Sequence, residues 1–153
     1  MTASRIEEYQ QMNLIPFTLS LHVLVAVLGV GTIGALPLAA RGARRASVAL
    51  GALAVWTRPL LLTARLSLLL AFATGVLLDF LFQGAFHRAV WFRLAGLLVV
   101  LTAVCLARAK AALAGGLSGA LAEPVALRRL EVWGFTCVIA VAAVVVLMAW
   151  KPF

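Results

Sequence analysis

Charge is scarce in this chain. Asp and Glu number 5 among 153 residues, and charged residues of both signs make up 12 %, about half the share usual in a soluble domain. Cysteine is limited to Cys105 and Cys137, both inside apolar runs. There each behaves as a small buried hydrophobe rather than as half of a disulfide or a metal pair. The sequence holds no Ser/His/Asp set, no glycine-rich phosphate cradle with a lysine, and no His/Cys/carboxylate cluster at zinc spacing. These absences exclude a disulfide-stapled scaffold and the commonest catalytic constellations. What is abundant is apolar side chain: 65 % of residues, with a mean hydropathy of +1.11. That excess excludes disordered and collagen-like chains and marks a polytopic membrane protein.

Four stretches are long enough to cross a hydrocarbon core, at about 20 residues each. They run from about Leu14 to Ala40, Pro59 to Phe82, Ala89 to Ala107 and Leu127 to Trp150. Asn13 and Pro16 are plausible entry residues for the first helix, and Pro59 suits a first turn of the second. The first span lacks a basic leader and a cleavage site and is expected to be retained. The fold class is therefore all-α: one transmembrane domain over residues 1–153, an up-down four-helix bundle. Two segments lie outside the spans. Residues 46–55 are apolar and either extend the second helix inward or lie in the interface, and Gly115-Gly116-Leu117-Ser118-Gly119 is expected to be a flexible loop.

The net charge of +8 would ordinarily raise nucleic acid as a partner. No basic stripe alternates with solvent-facing aromatics, so that partner is excluded. The bases flank spans instead. Arg41, Arg44, Arg45 and Arg58 lie in the first link, and Arg108, Lys110, Arg128 and Arg129 in the third. The positive-inside rule then places both links in the cytoplasm and both termini outside. Tyr9, Trp91 and Trp150 fall at outer ends and Trp56 at an inner end, as an aromatic belt requires. The lipid bilayer is the principal partner, with a homo-oligomer or a larger membrane complex also compatible with four apolar spans.

Ionisable residues inside spans are costly and are normally partnered. Asp79 and Arg93 share a depth near the outer end of spans two and three. Arg65 and Glu131 share a depth near the inner end of spans two and four. Both pairs are expected to be structural clamps, with a proton or anion path as the alternative. His22 has no carboxylate near it. It is either a core histidine satisfied by Thr18 or Ser20, or a ligand that offers one ring nitrogen to a cofactor beside Ala26, Gly29 and Ile33. His87, in the turn after span two, is a solvated histidine or a second axial ligand. Met12 and Met148 with His22 would suit copper, thioether and imidazole being its donors. Gly29-Val30-Gly31-Thr32-Ile33-Gly34 matches the dinucleotide fingerprint. That motif needs a strand and a turn before its helix, whereas here it is buried in a continuous apolar run. Its glycines are expected to make a groove for helix packing or room for a cofactor.

The run Leu21-His22-Val23-Leu24-Val25-Ala26-Val27-Leu28-Gly29-Val30-Gly31 resembles the first helix of a loose superfamily of small bacterial membrane proteins. The superfamily includes CopD-type copper-resistance proteins and HemJ-type protoporphyrinogen oxidases. The likeness extends to Ala64-Arg65-Leu66, Trp91-Phe92-Arg93-Leu94 and Arg128-Arg129-Leu130-Glu131. The resemblance implies a multi-pass protein of the bacterial inner membrane with His22 as a ligand of heme b. A HemJ-like oxidoreductase, a copper-handling protein and a non-catalytic membrane subunit are the activities it brings into view.

Overall fold

The computed structural model describes residues 3–150, with side chains over 14–150. Tyr9, Met12 and Asn13 lie outside the described side chains. The chain forms four helices: α1 (Ala3–Arg45), α2 (Leu50–Leu81), α3 (Val90–Leu117) and α4 (Glu123–Trp150). Each is long and apolar enough to cross a membrane. Their outward faces carry large apolar side chains, including Leu24, Val27, Leu69, Leu97 and Ile139. In water such surfaces would be an aggregation liability; against lipid they are the expected solvent-facing residues of a multi-pass membrane protein.

Consecutive helices run antiparallel. His22 early in α1 meets Thr74 late in α2, and the backbone of Thr102 in α3 meets Cys137 in α4. Around the bundle, α1 packs beside both α2 and α4, and α3 beside α4. The α2–α3 side is the most thinly packed of the four. One end of the bundle carries the α1–α2 and α3–α4 links (the link end), and the other carries the α2–α3 turn.

The tight core fills the link half. Leu36 and Ala40 of α1, Leu61 and Ala64 of α2, Leu106 and Ala109 of α3, and Leu130 and Cys137 of α4 make one buried cluster. Two glycines bring helices close there. A Cβ on Gly134 would lie 3.0 Å from the Pro37 ring, so α4 seats the proline of α1 directly on its backbone. A Cβ on Gly116 would collide with Leu50 and come within 2.6 Å of the Ala126 Cβ. Gly116 is thus the junction of three helices, and α3 stays helical through Leu117. The flexible loop expected over residues 115–119 shortens to a turn for this reason.

The boundaries differ from the sequence expectation in two other places. α1 runs unbroken past Pro16 and Pro37, and α2 begins at Leu50 with Pro59 inside it. Residues 46–55 therefore mostly extend α2 rather than lying in the interface. The start of α2 has no cap from its own chain neighbours. Glu123, in the first turn of α4, supplies one by accepting the Leu50 N–H. Its carboxylate faces the N-terminal ends of two helices at once, where negative charge is favoured.

The fingerprint glycines lie in mid-helix, as expected. Only Gly29 packs closely, its would-be Cβ falling 3.2 Å from Ser67 Cβ. Gly31 and Gly34 have nothing within 4 Å of that position, so the groove is narrower than the motif implies.

Candidate site in the hollow half of the bundle

Away from the link end the four helices part around an almost wholly apolar cavity of about 140 Å³, open on one side. Its walls include His22 and Gly29 of α1, Ala71 and Gly75 of α2, Gly96 of α3 and Met148 of α4. Small residues on three of these helices thin the wall, while the valines of α4 close the far side.

His22 supplies the imidazole of this cavity, and its orientation is built from α2. Its Nδ1 lies 2.9 Å from Thr74 Oγ1. That hydroxyl lies 2.7 Å from the Leu70 carbonyl and 3.1 Å from the Ala71 carbonyl. A hydroxyl has one proton, and a helical threonine gives it to the carbonyl of the preceding turn. Thr74 Oγ1 therefore accepts from His22 Nδ1–H, and Nε2 keeps its lone pair. The ring lies against α2 at Gly75, where a Cβ would just touch it, 3.4 Å from His22 Cε1. The sequence points to Thr18 or Ser20 as the anchor; the actual partner is on the neighbouring helix. The arrangement is the one metal-bound histidines use, with one nitrogen fixed by a second group and the other left for the ligand.

His22, Gly29 and Met148 are brought together on this cavity; His87 is not among its lining residues. His87 is exposed in the α2–α3 turn, its Nδ1 3.5 Å from Asp79 Oδ2. The turn is tight: Gly84, at φ +73°, would place a Cβ 2.8 Å from the His87 ring. Copper would find two suitable donors in the cavity, the His22 imidazole and the Met148 thioether. Met12 lies outside the described side chains. Thr74 and Gly75 were missed in the sequence; the signal was a hydroxyl beside a glycine in mid-span, at Ala73-Thr74-Gly75.

Neither expected ion pair forms; Asp79, Arg93 and Glu131 each find a different partner. Asp79 does not pair with Arg93. The α2–α3 turn folds back so that the N–H groups of Phe86 and His87 reach Asp79 Oδ1 at 2.8 and 3.0 Å. Arg93 Nε donates to the His87 carbonyl at 3.0 Å. The two charges thus fasten one turn residue from opposite sides. At the other end Glu131, buried, binds Arg44 at 2.7 Å and Arg41 at 3.5 Å rather than Arg65. Two causes combine: α2 lies diagonally across from α4 while α1 is its neighbour, and α2 begins at Leu50, which puts Arg65 about 10 Å deeper from the link end than Glu131.

No protein-family model, curated protein or solved structure matches this chain.

Proposed function

We propose that this multi-pass membrane protein binds heme b in its intramembrane cavity, with His22 Nε2 as the iron ligand. The observation that carries this is the 2.9 Å contact between His22 Nδ1 and Thr74 Oγ1 on a residue that lines the cavity; with Nδ1–H donating to the threonine, Nε2 is left free to bind. The donor set fits: a neutral imidazole and, on the same cavity, the Met148 thioether, both known axial ligands of heme iron. Bound there, heme would supply one-electron chemistry. The chain's own part is to hold the imidazole, keep water out with valine and phenylalanine, and offer a thin wall at Ala26, Gly29, Gly75 and Gly96.

The size of the cavity favours a second reading. Its volume of about 140 Å³ is close to that of an engineered void of about 150 Å³ that holds benzene. A macrocycle needs α2 and α3 to separate, and theirs is the thinnest packing in the bundle. A single lipid-soluble ring, such as a quinol head donating its hydroxyl to His22 Nε2, enters without that movement. The visible spectrum of the full chain purified from heme-replete cells tests the proposal. A Soret band is the expected result. A colourless protein whose organic extract contains a quinone selects the second reading, and a colourless protein with no extractable ring removes both.

The charge distribution supports a place in the bacterial inner membrane with both termini outside. Arg41, Arg44, Arg45, Arg108, Lys110, Arg128 and Arg129 all belong to the link end, where positive charge stays cytoplasmic. A reporter that works only outside the cytoplasm, fused after Phe153, is expected to be active. Activity there from a cytoplasm-only reporter would reverse the orientation.

A further inference from the structure

On the thinly packed α2–α3 side, two clefts run into each other, sharing Leu62 and Arg65. Their volumes are about 460 and 290 Å³. The one nearer the link end is walled by Arg58, Arg65 and Lys110, and the other continues between Leu69 and Val100 towards mid-membrane. No acidic side chain lines either cleft. Among the described residues these three cations make no ion pair, whereas Arg41 and Arg44 are neutralised by Glu131. Arg58 and Arg65 are seven positions apart on α2, about 10 Å along its axis. Cationic groups therefore line the head-group end of a groove whose deeper part is hydrocarbon-like.

We propose that this groove holds one anionic phospholipid. Its phosphate lies among Arg58, Arg65 and Lys110, and an acyl chain runs along Leu62, Leu69 and Val100. Charge complementarity selects this occupant. A second copy of the chain, carrying +8 and showing the same three cations, would bring like charges together. A zwitterionic lipid would leave them uncompensated. Basic pockets between transmembrane helices at one membrane face are established sites for anionic head groups. A lipid seated there would also fill the gap through which a ligand reaches the His22 cavity, since Leu68, Phe72 and Val99 line both spaces.

Native mass spectrometry of the full chain, with equal phosphatidylglycerol and phosphatidylcholine in the micelle, tests the proposal. The expected result is one retained phosphatidylglycerol at about tenfold preference, falling to near parity in R65Q/K110Q. The charge-matched control R45Q/R88Q, whose residues line neither cleft, is expected to keep the preference. Equal retention of the two lipids by the unmodified chain would overturn the proposal, and this arm stands even if the double variant fails to fold. Equal loss in the control would overturn it too, by showing that net charge alone sets the preference. So would dimers cross-linked through cysteines introduced at Leu69 and Val100.

Discussion

Arg44→Gln is expected to destabilise the bundle by about 2 kcal/mol, the usual range for a hydrogen bond to a charged group. Glu131 is buried and takes two bonds from the Arg44 guanidinium, at 3.0 and 2.7 Å. Without them the carboxylate keeps only Arg41, at 3.5 Å. The full cost of breaking a buried pair, about 3–5 kcal/mol, is not expected, because Arg44 is half exposed and water reaches the site from its side. Glu131→Gln is the milder change, since two partly hydrated arginines remain solvated. Combining R44Q with E131Q removes the uncompensated charge. The double variant should therefore be more stable than additivity allows by about 1 kcal/mol. Arg65→Gln, exposed and on the diagonal helix, should cost under about 0.5 kcal/mol and add to E131Q without coupling. Unfolding in detergent micelles, followed by tryptophan fluorescence, gives all four values. Coupling between Arg65 and Glu131, with none at Arg44, would contradict the helix order described above.

That pair also marks where sequence stops being informative. The presence of four helices, their apolar outer surfaces and the need of Glu131 for a basic partner all follow from residue type and periodicity. The partner's identity depends on which helices are neighbours. Depth can be counted from sequence only once the helix boundary is known: α2 begins at Leu50 rather than near Pro59, so Arg65 lies about 22 Å in from the link end while Arg44 sits at it. Position around the bundle cannot be counted at all. Asp79 fails for a different reason. Matching charge with charge overlooked the turn's own N–H groups, which lie closer to the carboxylate than any arginine and need an acceptor at a helix end. Gly116 shows the converse limit. A Gly-Gly pair reads as a loop because glycine disfavours helix, yet three converging helices leave room for nothing larger. At His22 the histidine and its thin flank were visible in one helix, but the threonine that orients it sits 52 residues away.

The cavity variants are expected to separate ligation from packing. His22→Ala removes the only imidazole on the cavity and should abolish bound pigment. His22→Gln keeps polarity and approximate size, and should abolish pigment as well while leaving unfolding within about 1 kcal/mol of the parent. Thr74→Val keeps the shape of the wall and removes the oxygen that holds Nδ1. The imidazole then remains but turns freely or shifts tautomer, and loss of such a supporting group typically weakens a metal site by about 10–100-fold. Thr74→Ser restores the hydroxyl and should restore most of that affinity, which a merely structural role for the threonine methyl would not predict. Gly75→Leu acts from the opposite side. Its Cβ, 3.4 Å from His22 Cε1, is tolerable, but the rest of the side chain must occupy the ring's place or the cavity itself, so pigment should fall without any change of donor. Titration of the apo-protein with hemin, read at the Soret band, ranks the set as parent and T74S above T74V, and T74V above G75L and H22A. Retention of pigment in H22A would move the ligand to another residue. Equal affinity in T74V and the parent would mean that the Nδ1 contact does not prepare the ring for iron, and would leave a quinol ring hydrogen-bonded to Nε2 as the better account of the cavity.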